Sequence, residues 1–172
     1  EFVYVGDAGI IEPSGKSKRM GAELGLRYQL NDWLFFDADA NYTYARSIDE
    51  PKGQDYIPLA PDFTTTGGLS FQKIQGFSGG LRYRYLKSRP ANEDNSIVAK
   101  GYFVSDFNVN YQYKSINLGI SIENLFDTAW NETQFATESR LQNESESVEE
   151  IHFTPGIPFF MKGKVITHNY HY

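Results

Sequence analysis

The sequence predicts an all-β protein, an antiparallel up-and-down transmembrane β-barrel with about eight strands present. Three observations predict it. Apolar and polar residues alternate almost without a break from Met20 to Tyr44. Long and short connections alternate between the strand-like segments. No run of about 18 apolar residues, the length a spanning helix needs, occurs, and the mean hydropathy is −0.49. A period of two sends successive side chains to opposite faces of a sheet. Met20, Ala22, Leu24, Leu26, Tyr28 and Leu30 share one parity; Gly21, Glu23, Gly25, Arg27 and Gln29 share the other. Past Asn31-Asp32 the pattern resumes, with Leu34, Phe36, Ala38, Ala40, Tyr42 and Tyr44 against Asp37, Asp39, Asn41 and Thr43. So long an apolar stripe needs a greasy surface and the opposite face needs water. A barrel with lipid outside and water inside satisfies both.

The elements follow in order. A first strand ends near Val5, and a polar connection from Gly6 to Ser17 carries Pro13 and Gly15. The second strand runs from about Lys18 to Leu30. Asn31-Asp32 makes a two-residue hairpin, and the third strand runs from about Trp33 to Ala45. A long loop, Arg46 to Pro61, holds three prolines. The fourth strand, Phe63 to Gln72, and the fifth, from Phe77, flank a short turn at Lys73 to Gly76. On the fifth, Phe77, Gly79, Leu81, Tyr83 and Tyr85 face one way and Ser78, Gly80, Arg82 and Arg84 the other. After a long loop, Lys87 to Lys100, the sixth strand sets Phe103, Phe107, Val109, Tyr111 and Tyr113 against Asp106, Asn108, Asn110 and Gln112. A short turn at Lys114 to Ile116 leads to the seventh strand, with Leu118, Ile120 and Ile122 apolar. The longest loop, Asp127 to Gly156, precedes a last strand from about Phe159 to Tyr172. Outer-membrane barrels have this rhythm of short periplasmic turns and long extracellular loops. Trp33 beside a short turn, and Tyr42 and Tyr44 near a long loop, suit its aromatic girdles.

The last strand breaks the parity. Counting back from Tyr172 would turn Lys162 and Lys164 to lipid, where a lysine costs roughly 2–4 kcal/mol at mid-depth. Phe159, Met161, Gly163 and Val165 look lipid-facing instead. A bulge near Val165-Ile166 is expected to reconcile the two halves.

Composition permits this fold and excludes much else, although taken alone it favours a soluble all-β sandwich rich in Tyr. The chain has 12 Tyr, 13 Phe, 2 Trp and 15 Gly, suiting aromatic girdles and turns. With no cysteine there is neither a disulfide framework nor a thiolate metal site. A net charge of −6 with scattered acids argues against nucleic acid as a partner. No phosphate loop, zinc motif or nucleophile elbow occurs, so neither catalysis nor a cofactor is expected. The opening Glu1-Phe2-Val3-Tyr4-Val5 has no Met, basic region or apolar leader and reads as part of a longer precursor.

Several segments resemble a known family. They are Glu123-Asn124-Leu125-Phe126-Asp127, Asn131 to Leu141 (NETQFATESRL) and Phe153-Thr154-Pro155-Gly156-Ile157-Pro158. Gly6-Asp7-Ala8-Gly9, Glu12-Pro13-Ser14-Gly15 and Arg19-Met20-Gly21-Ala22-Glu23 belong with them. So do Ile57-Pro58-Leu59-Ala60-Pro61 and Arg89-Pro90-Ala91-Asn92-Glu93-Asp94. In order and spacing these resemble the C-terminal barrel of a TonB-dependent outer-membrane receptor, along the whole chain. The resemblance implies residence in the outer membrane of a Gram-negative bacterium and contact with its lipid bilayer. It implies uptake of a scarce ligand, a siderophore or other metal chelate, or a vitamin-like ligand such as cobalamin. Import would be powered by the TonB–ExbB–ExbD complex. Such barrels have about 22 strands around a plugged lumen. Residues 1–172 are therefore expected to be a C-terminal segment, partnered by a plug domain and further barrel strands, with plug and TonB box absent from this chain. The terminal aromatic Tyr172 stands where such receptors usually carry Phe and is expected to be an assembly signal. The residues alone leave another reading open: a self-contained eight-stranded barrel, either a small membrane barrel or a soluble lipophile carrier with its faces inverted.

Candidate ligand-binding residues fall in two groups. Arg82 and Arg84, with Arg27, face the predicted lumen, where guanidinium groups can hold an anionic chelate or a plug carboxylate. Their plainer role is charge balance against Asp37, Asp39, Asp106 and Glu123. Trp130, Phe135, Arg140 and His152 lie in the longest loop, and aromatic and Arg side chains are common binding anchors; here the plainer role is a lid. Asn92 to Asn95 and the trio Glu149, Glu150 and His152 are weaker cation candidates, more simply read as solvated loops. No metal site is expected.

Overall fold

The computed structural model describes residues 2–5, 10–13 and 15–167. In chain order the strands are β1 (Phe2–Val5), β2 (Ile10–Pro13), β3 (Ser17–Gln29), β4 (Leu34–Ser47), β5 (Phe63–Ile74), β6 (Phe77–Leu86), β7 (Arg89–Pro90), β8 (Val98–Ala99), β9 (Tyr102–Tyr113), β10 (Ile116–Glu123), β11 (Asn131–Ser139), β12 (Val148–Pro155) and β13 (Phe160–Thr167). No helix occurs among the described residues. Seven strands make one antiparallel sheet in the order β13-β10-β9-β6-β5-β4-β3. Each strand of this sheet pairs with the sheet's next strand in chain order, the up-and-down order the alternation predicts. The small pairs β1-β2, β7-β8 and β11-β12 stand outside it.

Four expectations change. The first strand is not a wall strand among the described residues; Phe2–Val5 pairs with Ile10–Pro13, inside a stretch read as loop. The long loops Lys87–Lys100 and Asp127–Gly156 contain hairpins. The turn after β3 is wider than two residues: the Asn31 side chain accepts from the backbone N–H of Trp33 at 3.1 Å and Leu34 at 2.9 Å. Finally, β13 pairs with β10 in unbroken register from Glu123↔Phe160 to Ile116↔Thr167, so no bulge occurs at Val165-Ile166. The parity of Met161, Gly163 and Val165 simply persists, opposite Ile122, Ile120 and Leu118. The count from Tyr172 started from a residue outside those described.

The two faces stay in phase across all seven strands. One row reads Leu26, Ala38, Gly67 and Tyr83; another reads Leu81, Phe107, Ile122 and Met161. Rings interlock along this apolar face. Phe77 meets Tyr111 at 4.4 Å, Tyr83 stacks on Phe103 at 5.8 Å, and Tyr83 hydrogen-bonds Thr65 at 3.1 Å. Gly67 leaves room for the Tyr83 ring, which would lie 3.0 Å from an added Cβ.

No described residue covers this face. Leu24 and Val165 are each 69% exposed, and the buried apolar residues are only Ala45, Ala91, Ala99 and Val104 among those described. A contiguous apolar surface of this extent is the kind that meets a membrane or another protein. A soluble carrier would turn these residues inward. The opposite face is polar and charge-balanced. Arg82 pairs with Asp37, Arg27 with Asp39 at 2.8 Å, Arg84 with Asp106 at 3.6 Å and Lys162 with Glu123 at 2.7 Å. The sheet ends at β3 and β13, which do not pair with each other. It is therefore an open wall and not the self-closed barrel of the alternative reading.

The two tight turns use left-handed backbone. Gln75 and Gly76 have φ of 49° and 89°, the twist that matches a two-residue hairpin. Lys114 takes φ of 51° at the other. Trp33 and these turns mark one end of the wall; all the long connections leave from the other end, the mouth.

Candidate functional site

Three long connections meet at the mouth, and side chains tie them together. The loop after β4 is anchored by Arg46. Its guanidinium lies 4.8 Å from the Tyr44 ring centroid and 4.2 Å from that of Tyr56, and 3.8 Å from Asp55. Such cation–π contacts hold a flexible loop at modest cost in side-chain entropy. The loop then joins the β7–β8 hairpin through backbone bonds, Tyr56 N–H to the Glu93 carbonyl at 3.1 Å and Leu59 N–H to the Pro90 carbonyl at 2.8 Å.

Two buried amides join the hairpins to each other. Gln134 of β11, 4% exposed, accepts from the Lys100 N–H at 2.9 Å and donates to the Lys100 carbonyl at 2.7 Å. Asn92, also 4% exposed, donates to Ser96 at 2.8 Å and to Glu149 at 2.9 Å, and accepts from Ile97 N–H at 3.1 Å. Burying an amide is tolerated only when its polar atoms are matched, and both satisfy that requirement by bridging separate segments.

Asn124 is the third tie, at the root of the β11–β12 hairpin. It is 1% exposed and takes φ of 51°, a left-handed conformation that Asn tolerates better than most residues. Its N–H donates to Asp106 at 3.0 Å. Its side chain donates to the carbonyls of Thr128 at 2.9 Å and Ile157 at 3.1 Å, and accepts from Thr128 N–H at 2.9 Å. Asp127 receives Phe159 N–H at 3.0 Å. The end of β10, the start of the hairpin and the start of β13 are thereby joined. Trp130 closes the root from the other side. Its indole N–H donates to the Ile157 carbonyl at 3.0 Å, and its ring lies against Gly156, where an added Cβ would fall 2.1 Å from it.

Two clefts result. One, of about 710 Å³, is lined by Asp49, Glu50, Glu93, Asp94 and Glu149 with Gln54 and Tyr56. The other, of about 590 Å³, lies between the two hairpins and includes Lys100, Asp127, Trp130, Gln134 and Phe153. Charges near the mouth respond to their surroundings. The Asp62 carboxylate, 2.6 Å away, raises the Lys87 pKa, and hydrogen bonds from Ser96 lower that of Asp94. Burial lowers that of Arg89.

The expected site residues separate into three places. Arg82 and Arg84 lie on the polar face, both paired with carboxylates; Arg84 also sits 5.5 Å from the Trp130 ring, which in turn packs on Tyr102 at 4.8 Å. Phe135 and His152 stack on each other at 5.8 Å within the hairpin, and His152 lies 3.8 Å from Glu150. Arg140 follows β11 at the hairpin tip, exposed. Tyr172 lies outside the described residues. No cluster of three or more metal-ligating side chains occurs among those described. Of the weak cation candidates, Asn92 and Glu149 are committed to each other. Asn92, Gln134 and Asn124 were not picked out from the sequence as ties. Amides in polar loops carry no periodic signal, though Asn124 stood in a motif quoted for other reasons.

With this geometry in place, comparison with known proteins is informative. Solved structures of similar fold include the ferric yersiniabactin uptake receptor FyuA of Yersinia pestis, at TM-score 0.68 and 15% identity over 93% of this chain and 25% of that one. The ferric-catecholate import receptor Fiu of Escherichia coli K12 has a TM-score of 0.67 and 18% identity over 98% of this chain and 23% of its own. The ferripyoverdine receptor of the outer membrane of Pseudomonas aeruginosa, bound to ferripyoverdine, has 0.61 and 13% over 88% and 19%. The chain thus spans about a quarter of the length of such receptors or less. No curated protein sequence matches it. The family model for "TonB dependent receptor-like, beta-barrel" matches residues 2–125, most of the chain. The chain belongs to the TonB-dependent receptor-like β-barrel family.

Proposed function

We propose that the chain is a C-terminal part of the barrel of an outer-membrane receptor that imports a siderophore or other metal chelate with energy from TonB–ExbB–ExbD. The remaining partners are the lipid bilayer, a plug domain and further barrel strands outside residues 1–172. The observation that carries the reading is the two-faced wall with its tied mouth: apolar rows suit lipid, the charge-balanced face suits a wet lumen, and the hairpins stand where cargo would arrive. The similar solved structures support the choice of cargo, since their names specify ferric yersiniabactin, a ferric catecholate and ferripyoverdine. It is a receptor and transporter, not an enzyme.

Within this reading Arg140 and Phe135 with His152 face arriving cargo, while Trp130, Arg82 and Arg84 act deeper, already tied to protein partners. Arg140→Ala in the full receptor should then cost affinity without loss of expression, whereas Trp130→Ala should also loosen the hairpin root. Tyr172 serves as the assembly signal, and removing it should reduce insertion. The deciding experiment deletes the receptor in its host and follows uptake of a panel of radiolabelled ferric chelates under iron limitation. Loss of uptake of at least one chelate, restored by the intact gene and abolished without TonB, supports the function; unchanged uptake of every metal chelate overturns it.

A further inference from the structure

At the mouth end the apolar face of the wall closes with positive charge. Lys18 and Arg46 lie directly opposite each other in the β3–β4 ladder, two residues beyond Met20 and Tyr44. They therefore share the face of those two residues. Like charges directly opposite in an antiparallel pair repel. Lys18 is exposed, and no carboxylate pairs with it among the described residues. Arg46 is held by the Tyr44 and Tyr56 rings, and Asp55 approaches it only to 3.8 Å. Lys16, whose carbonyl receives the Ile48 N–H at 2.9 Å, adds a further cation just before β3.

The acids of this region gather on the other side. Ser17 and Ser47 are opposite each other with the other parity, and they line the wide cleft with Asp49, Glu50 and Glu93. The mouth end of β3 and β4 is thus cationic on its apolar side and acidic on its polar side. Height then narrows the anion. Exposed rings crowd the apolar face just below: Tyr42 beside Ala22, Tyr44 beside Met20, and Phe63 against Tyr85 at 6.1 Å. Aromatic rings at the end of an apolar band sit at the headgroup level of a bilayer. Two residues of strand carry Lys18 and Arg46 about 7 Å further along. A small soluble anion would use the charges alone. A lipid uses the charges for its phosphate and the apolar rows beneath for its chains, and guanidinium and ammonium groups are both good phosphate partners.

We infer that Lys18 and Arg46 form a binding position for the phosphate of a lipid headgroup, with the lipid's chains lying against Met20 and Tyr44. The inference rests on the outer-membrane reading above and adds a lipid of stated chemistry to it. The test is native mass spectrometry of the full-length receptor in detergent, titrated with diphosphoryl lipid A, dephosphorylated lipid A and inorganic pyrophosphate. Wild type is compared with Lys18→Gln, Lys18→Glu, Arg46→Gln and Lys114→Gln. Lys114 is the control, since it stands in the turn between β9 and β10 at the far end of the wall. Wild type should hold diphosphoryl lipid A more tightly than either other probe. Lys18→Gln should weaken it about fivefold, the scale of one basic residue at a membrane surface, and Lys18→Glu should weaken it more. Lys114→Gln should bind as wild type does. Arg46→Gln should weaken it as Lys18→Gln does; because it also unties the loop after β4, the Lys18 variants alone decide where it fails to insert. Equal affinity for diphosphoryl lipid A in wild type and Lys18→Glu overturns the inference, as does an equal loss in Lys114→Gln. Dephosphorylated lipid A held as tightly as the diphosphoryl form overturns the role of phosphate. Pyrophosphate held as tightly overturns the lipid and assigns the position to a free anion. None of these readouts uses cargo, so a binding position that depends on Lys18 stands where chelate uptake fails, and its loss leaves the uptake result untouched.

Discussion

In the wall, a residue's environment follows from its parity; at the mouth, it follows from which buried amide has reached it. Leu24 and Glu23 are neighbours in the chain, yet they lie on opposite faces, one apolar and one polar, and the ladder keeps the two faces in phase over the sheet's whole width. Gln134 and Lys100 are 34 residues apart, and nothing periodic links them, but two hydrogen bonds make them one unit. The wall is repetitive and tolerates substitutions that respect its faces. The mouth is a set of individual contacts between buried amides and separate segments. On the proposed reading, the wall fits a bilayer and the mouth fits one cargo.

The contrast can be broken most severely in the wall. Ile120 and Ser121 are adjacent in β10, at mid-height, on opposite faces. Ile120→Arg should destabilise the receptor by roughly 2–4 kcal/mol, the cost of a basic residue near the bilayer midplane. Ser121→Arg, one residue along, should cost little. Urea titrations of the full receptor refolded into bilayers check both. Similar losses in the two variants would undo the assignment of faces.

At the mouth the largest effect is expected at Asn124. Asn124→Ala removes its side-chain bonds to Thr128 and Ile157 and leaves those buried groups unmatched, at about 1–3 kcal/mol. The loss should be local. Limited proteolysis should cut the β11–β12 hairpin faster while the wall resists as before. Gly156→Ala should do the same, since the added methyl displaces Trp130.

These two regions also explain what was legible in the sequence. The strands β3, β4, β5, β6, β9 and β10 were readable because a period of two is a dense signal over eight or more residues. Arg82 and Arg84 were placed on the correct face for the same reason. The hairpins β7–β8 and β11–β12 were read as loops: β7 and β8 have two residues each, and β11 and β12, though as long as β10 and β13, carry no clean apolar face. For β13 the residues themselves, Met161, Gly163 and Val165, were a better guide than the count from the terminus.

A smaller effect is expected from the latches. Gln134→Leu and Asn92→Leu should each cost about 0.5–1.5 kcal/mol if neighbours relax, and hydrogen exchange at Lys100 and Ile97 should rise. Combined, they should uncouple the two hairpins; exchange that rises in neither would mean the mouth is held by packing alone. Smallest of all is the Asp94 turn. Hydrogen bonds from Ser96 hold its pKa below the ordinary 3.8, so their contribution is present above that value and is lost as pH falls through the lower folded value. The difference in urea midpoint between wild type and Asp94→Ala should therefore shrink below about pH 3.8. Asp94 is exposed, so the difference should be slight at any pH.

The central claim is that the apolar rows face lipid and the polar rows face a wet lumen. Residues 1–172 carry no cysteine; with any cysteine elsewhere in the full receptor replaced, single cysteines from Phe107 to Gln112 can be spin-labelled in bilayers and probed for collisions with oxygen and with a water-soluble nickel complex. The account expects oxygen to dominate at positions 107, 109 and 111 and nickel at 108, 110 and 112. The opposite phase, or no alternation along these residues, would contradict it.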